Sequence, residues 1–359
     1  MSSRVAVIKT TPETVLDDYA KVMHLAGYQD VIKPEHPTAI KINISWHYFY
    51  PACSSPPWQV EGVLKTLLDD GFKKESLFAC HNKTVVVSAK KGEVNNKQKV
   101  VVDKYNIANI HLYENEEWIT YEPKAKMLVL NSIFKDGIRI PKRLIGSNVI
   151  HLPTMKTHVF TTITGAMKNA FGGLLHEKRH WTHSVIHETL VDLLNIQKEI
   201  HPGIFAVTDG TFAGDGPGPR CMVLYSKGYL LASADQVAID AISAKMMGFD
   251  PLSIKFIRLA YESGLGCGDP KEIEIVGEDI SGINFHFRGN ENTFASRGQK
   301  LIYWGPLKFL EKLLLRTFLV PWSYAASIIY HDWYWYPFIG KKRVNEALKT
   351  GWGKLFERY

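Results

Sequence analysis

The chain has 359 residues, 45% hydrophobic and 22% charged, a balance that excludes a disordered or fibrous protein and fits one large domain with an appendage or two ordinary domains. Its four cysteines, Cys53, Cys80, Cys221 and Cys267, stand far apart with no CxxC pair, which argues against a cysteine-only zinc or iron–sulfur site and for a reducing compartment. The net charge of +7 is uneven: residues 298–359 hold ten basic and four acidic side chains, +6 in all, with five of the nine tryptophans, and read as a tail with its own partner.

In chain order, MSSRVAVIKTTPETVL reads as a short strand and a capped helix without the regions of a secretory signal, so a cytoplasmic protein is expected. TAIKINIS is a predicted buried strand ending at Lys41 and Asn43. WHYFYPACSSPPW, the aromatic loop after it, reads as a lid or hydrophobic substrate wall, or equally as a loop packed on the core or the tail. WQVEGVLKTLLDDGF has apolar residues at helical spacing and Gly71 as a stop. SLFAC, AKMLVLNSIF, SNVIHLPT and GIFAVTDG are predicted strands, and ADQVAIDAISAKMMGFD a helix ending near Gly248. This alternation over residues 1–297 predicts an α/β fold, a largely parallel sheet flanked by helices, with sites in the loops after Ser45, Cys80, Pro153 and Thr208.

KTHVFTTITGAMKN, residues 156–169, sits between a predicted strand and a helix. Thr164 is a candidate N-cap and Gly165 permits close approach, so free N–H groups of the first turn, with Lys156 and Asn169 beside them, would bind an anion. Lys168 lies one turn in; near other cations its pKa should be depressed, suiting covalent or general-base work, although a solvated helix lysine has the same spacing. Six of the fourteen histidines fall between 151 and 187. His176, His180, His183 and His187 would share one face of a continuous helix and could hold a metal. A break near Thr182, as N-cap of HSVIHETLVDLLNIQKEI, would leave two or three of them together, beside a phosphate or carboxylate site built with Lys178 and Arg179. DGTFAGDGPGPR lets backbone approach a ligand, with Asp209 placed to orient a histidine or a metal-bound water and Asp215 within the loop; a tight structural loop is the alternative.

In LKFLEKLLLRTFLV, Lys308, Lys312 and Arg316 recur every four residues while Leu307, Leu310, Leu314 and Phe318 fall on other faces, a basic amphipathic helix. The uncharged run 317–330 is shorter than the ~20 residues that span a bilayer. With HDWYWYPF and KKR after it, the tail suits a membrane interface, or a helical pair docked on the main domain or a second subunit. No nucleic-acid motif is present, and nucleic acid is set aside as a partner.

AIKINIS, LPTMKTHVFTTITGAMKNAFGG, His183 in the loop that follows, DGTFAGDGPGP and ASADQVAIDAISAKMMGFDP resemble, in that order, the domain-of-unknown-function 362 family, many members of which add a ferredoxin-like cysteine segment that this chain lacks. The interval from His158 to Lys168, the Thr-Gly step inside it and Gly172-Gly173 after it are more distantly similar to the nickel-pincer lactate racemases. That likeness implies His81 and His158 as proton-transfer groups, Lys168 as the cofactor tether, and His180 or His183 as a ligand to nickel. Thr164-Gly165-Ala166 departs from the racemase Ser-Gly-Gly.

Together these readings predict an enzyme acting on a small anionic or polar substrate by proton or hydride transfer, racemase- or epimerase-like, at a His/Lys cleft. Lys41, Asn43, Lys156, Thr164, Gly165, Asn169, Asp209 and Asp215 are the expected substrate contacts, and nickel or iron the expected metal. The alternatives are an iron–sulfur or redox-associated oxidoreductase component docking on a membrane or protein partner, and a non-catalytic ligand-binding or scaffold protein. The expected location is cytoplasmic or peripheral at the inner face of the membrane.

Overall fold

The structure, a computed structural model, describes residues 3–84, 86–317 and 320–359. Its centre is a ten-stranded sheet of β1 (Arg4–Lys9), β2 (Thr38–Ile42), β3 (Leu77–His81), β4 (Ala108–His111), β5 (Asn148–Leu152), β6 (Thr154–His158), β7 (Ile204–Asp215), β8 (Val223–Ser233), β9 (Glu274–Gly277) and the short pair partner Thr162–Ile163. The main path runs β9-β1-β8-β7-β5-β2-β3-β4 and is parallel except at β8. Along β1 the residues alternate between two cores: Val5 and Val7 face one, Ala6 and Ile8 the other. Both faces are covered by helices, which is why the strands carry almost no polar alternation.

On one face lie α4 (Gly165–Leu174), α5 (Ile186–Ile200) and α6 (Gln236–Met247), and on the other α1 (Val15–Leu25), α2 (Pro57–Asp69) and α3 (Gln98–Lys104). The predicted helix stops hold: Gly71 and Gly248 sit at φ 90° and 103°, left-handed values that cost glycine little. Two local predictions need correction. AKMLVLNSIF is not a strand, because the N–H groups of Leu128, Val129 and Leu130 all donate to the Asp192 carboxylate (2.6, 2.9 and 2.9 Å), which curls the chain into the short helix Leu130–Ile133. Thr182 does not cap the next helix; its hydroxyl donates to the Arg179 carbonyl (2.9 Å) inside a 3-10 stretch, Glu177–Val185, which precedes α5.

The tail is a chain of short helices that returns onto the main fold. Trp335, Trp352 and Phe356 join the same core as β2 and α2. The aromatic loop after β2 is their socket: Tyr48 stacks on Tyr336 at 4.1 Å, Phe49 on Phe356 at 3.7 Å, and Trp46 Nε1 donates to Asp332 at 2.7 Å. That loop therefore packs against the tail rather than walling a substrate. Of the predicted basic amphipathic helix, Lys308–Leu310 is a 3-10 turn and Glu311–Arg316 an α-helix; Phe318 lies outside the described residues. No single helix among the described residues is long and apolar enough to cross a membrane, and one pair that would pass together is bent by 89°.

Candidate functional site

A cavity of about 300 Å³ opens at the carboxyl ends of β2, β3 and β6, where an α/β sheet places its ligands. Lys41, Asn43, His81, His158, Lys168, Asn169, His180 and His183 all line it, brought together from four separate segments. Arg179 and Arg220 line it too. Among the described lining residues none carries a carboxylate.

The cations are held differently. Lys41 is buried, donates to the Ile42 carbonyl (2.7 Å), and lies so close to α4 that a Cβ on Gly173 would meet its Cε at 2.6 Å. Burial lowers its pKa to about 8. Burial, then the charges of Lys156 and Arg179, lower Lys168 to about 7, and its ammonium lies 5.5 Å from the Phe171 ring. Arg179 is buried and anchored to the carbonyls of Lys83 and Leu175, and burial lowers it only to about 10, so it stays charged. Arg220 donates through Nη2 to Ser327 (3.2 Å), while its buried Nη1 has no hydrogen-bond partner among the described residues.

Two imidazoles carry the same tautomer but leave opposite nitrogens unengaged. His81 Nε2 donates to Glu93 (2.8 Å), a carboxylate that also accepts from Asn109 (2.9 Å) and His111 (3.1 Å). Burial opposes ionisation of Glu93, but these hydrogen bonds outweigh it and hold its pKa at about 2, so it is an acceptor only. His81 therefore carries its proton on Nε2, and its buried Nδ1 keeps a lone pair with no partner. In His158 it is Nδ1 that is engaged: it accepts the Phe160 backbone N–H (3.2 Å) and contacts the Thr161 hydroxyl (3.1 Å), so the neutral ring carries its proton on Nε2 and presents that N–H. Burial lowers both rings' pKa, that of His158 well below its usual value with help from the Lys168 charge, so both are neutral at pH 7.

The other predicted contacts lie elsewhere. Gly165 and Thr164 do not form an open anion site, because the Asp240 carboxylate already accepts from the N–H groups of Ala166 (2.5 Å) and Met167 (3.1 Å). Gly165 is needed at φ 77° with that carboxylate 2.3 Å from where a Cβ would stand, and the Thr164 hydroxyl turns to the carbonyls of Thr154 and Lys156. Lys156 is sealed beneath the site, donating to the Cys53 carbonyl (2.6 Å) and Thr154 hydroxyl (2.8 Å). Asp209 accepts from Tyr19 (2.6 Å), Trp58 (3.0 Å) and Thr211, which uses both oxygens to pin β7 to α1 and α2. Asp215 accepts from the Arg288 and Gly289 backbone N–H groups (2.9 and 3.2 Å) and from Arg288 Nε (3.2 Å), fixing the approach to the tail.

Of the four clustered histidines only His180 and His183 line the cavity; the intervening 3-10 winding brings i and i+3 to one side and turns His176 and His187 to packing against Phe134 and Phe256. His183 Nδ1 donates to the His180 carbonyl (2.9 Å), which leaves Nε2 with a lone pair. The compact donor group lies elsewhere: ligand atoms of His81, Glu93 and His111 fall within 4.8 Å of one another. Glu93, His111, Arg220 and Asp240 gave no sequence signal. The one sequence feature that could have suggested His111 is that it ends a short β run, as His81 does; their strands pair in register.

Residues 38–245 match the family described as Domain of unknown function (DUF362). A curated relative, the thylakoid-associated protein sll1697 of Synechocystis sp., is 29% identical over 136 residues, 36% of this chain and 41% of that protein, so the match spans less than half of the relative's length. A crystal structure of a Thermotoga maritima protein is similar at a TM-score of 0.38 and 12% identity, over 60% of this chain and 54% of the other. Since the family match covers more than half of the residues, among them the strand end at Lys41 and the segment from His158 to Lys168, the chain belongs to the DUF362 family.

Proposed function

We propose that the chain is an enzyme that holds a small anion, a carboxylate or phosphate, in this cavity and moves a proton on it between His81 and His158, docked at a membrane surface through its tail. One observation carries the reading: four cationic side chains converge with no described carboxylate on a cavity that also holds two neutral imidazoles, one with an unengaged lone pair and one with an unengaged N–H. Lys41, Lys168, Arg179 and Arg220 would neutralise the anion, with the unpartnered Arg220 Nη1 as a ready donor. His81, backed by Glu93, presents a lone pair and so acts as base. His158 presents an N–H and so acts as acid, the Lys168 ammonium whose charge acts on it replacing that proton while His81 releases its own to solvent. Removal of a proton by one ring and its return from the other is the chemistry of an isomerase or epimerase.

For a tethered nickel-bearing cofactor of the racemase type, Lys168, with an amine near pKa 7, and His183, with its free Nε2, are the residues that would hold it. Such a group, when bound, supplies a hydride acceptor. Intact mass spectrometry with elemental analysis tests this part alone: a mass increment lost in Lys168→Arg together with stoichiometric nickel supports it, and an unmodified, metal-free chain contradicts it.

The proton-transfer reading is tested by incubating the protein in deuterium oxide with a panel of 2-hydroxy and 2-keto acids and of phosphate esters, and following wash-in of solvent deuterium by proton NMR. Exchange should occur with at least one compound and fall at least about 100-fold in both His81→Ala and His158→Ala. Exchange unchanged in both variants would contradict the scheme.

A further inference from the structure

The cavity's roof is made by the tail, and the helix that makes it is inside out. In Pro321–Ile328 and the wide π-helical stretch Ile329–Gly340, the residues facing the cavity are Ser323, Tyr324, Ser327 and His331. Outward on the opposite face lie Pro321, Trp322, Ala325, Ala326, Ile329 and Trp333, all exposed, with Tyr334 and Phe338 continuing the stripe. A helix on a water-facing surface has the reverse arrangement. Nor can this one roll over: Ser327 accepts from Arg220, Asp332 accepts from the buried Trp46, and the Tyr336 hydroxyl donates to the Phe49 carbonyl (3.1 Å). The polar face is pinned inward, and the apolar face is left outward.

What covers that face can be argued from its surroundings. Exposed lysines flank the stripe at both ends, Lys308 and Lys312 before it, Lys341 and Lys342 after it. Between Lys312 and Lys341 the only carboxylate, Asp332, is buried. Tryptophan, tyrosine and phenylalanine between cationic ends match the interface of a negatively charged leaflet, where a helix too short to cross lies in the plane. Lys308–Arg316 and Pro321–Leu348 lie at 89° to each other, and Leu315 and Val320, near their facing ends, both line the cavity. The same space thus has an apolar edge under the bend and cations at the strand ends.

We infer that the anion this cavity takes is the head of a single-chain membrane amphiphile, a carboxylate or phosphate on an alkyl tail, which enters from the bilayer beneath the inside-out helix. The inference rests on the anion-binding reading above and names its substrate class. The head reaches Lys41, Lys168, Arg179 and Arg220, and the chain runs back past Leu315 and Val320 toward the lipid.

Calorimetric titration of the full chain with octyl phosphate and with methyl phosphate separates the two ideas. Octyl phosphate should bind at least about tenfold tighter, and methyl phosphate should displace it, since several methylenes leave water at the bend. Equal affinities overturn the amphiphile and leave the anion site standing; binding of neither overturns both. In parallel, the chain should sediment with vesicles of phosphatidylcholine and phosphatidylglycerol in a two-to-one mixture, and the double variant Trp322→Lys/Trp333→Lys should stay in the supernatant while keeping its methyl phosphate affinity and melting temperature. Equal sedimentation of the two proteins, or none by the wild type, overturns the membrane route; in the latter case the stripe serves a protein partner.

Discussion

At the scale of single residues, the site depends on charges that are costly to bury and therefore easily switched by pH. Anion binding needs protonated Lys168 and Lys41, whose pKa values lie near 7 and 8. Affinity for methyl phosphate should be greatest near pH 6.5, where both amines hold most of their protons and the ligand gains its second charge, and fall at least about tenfold by pH 9, as both amines lose their protons. A flat profile over that range would mean that Arg179 and Arg220 alone hold the anion. Glu93 acts through His81: burial lowers the His81 pKa, the Glu93 charge offsets part of that, and its acceptor oxygen fixes the tautomer, so it is a positioning residue. Asp209, in contrast, belongs to the frame. Asp209→Ala should cost about 2–4 kcal/mol in urea unfolding, because it strands the buried Tyr19 hydroxyl and Trp58 N–H, and should leave methyl phosphate affinity unchanged.

Elements show where sequence reading reaches and where it stops. The strand ends near Lys41 and His81, and the helix carrying Lys168 and Asn169, were legible because hydrophobic runs and glycine stops are local signals, whereas the polar strand Thr154–His158 reads in sequence as the connection into that helix. Asp192 and Asp240 were not, since each reaches its backbone partners across more than 60 residues of chain, and no spacing rule links a carboxylate in one helix to the N–H groups of another segment. The same gap produced the expectation of an open anion site at Gly165, which Asp240 fills from α6. Gly165→Ala should therefore destabilise the fold by about 2–4 kcal/mol, through both the left-handed backbone and the collision with that carboxylate, read as a lower melting temperature. A substitution tolerated without loss would mean that α4 and α6 are not locked together in this way.

For the whole molecule, the composition shift at residue 298 was real, but the separation it suggested was not complete. Part of the tail is core: Trp335, Trp352 and Phe356 pack with the β2 side of the sheet, and Tyr48, Phe49 and Trp46 form their socket. Sequence alone could not divide the tail's aromatics into those that face the protein and those that face outward, because both sets have the same composition and only the docking decides. Removing residues 341–359 should accordingly lower the melting temperature by at least about 5 °C rather than release an intact main domain. The outward set, Trp322, Ile329, Trp333 and Phe338, is where a membrane would be met, above a cavity whose floor is cationic. That cationic floor is the central claim, and calorimetry at pH 6.5 with methyl phosphate and lactate tests it most directly. At least one should bind at a single site and lose at least about tenfold affinity in Lys168→Gln and in Arg220→Gln; saturable binding by neither, or binding indifferent to both substitutions, would contradict the account.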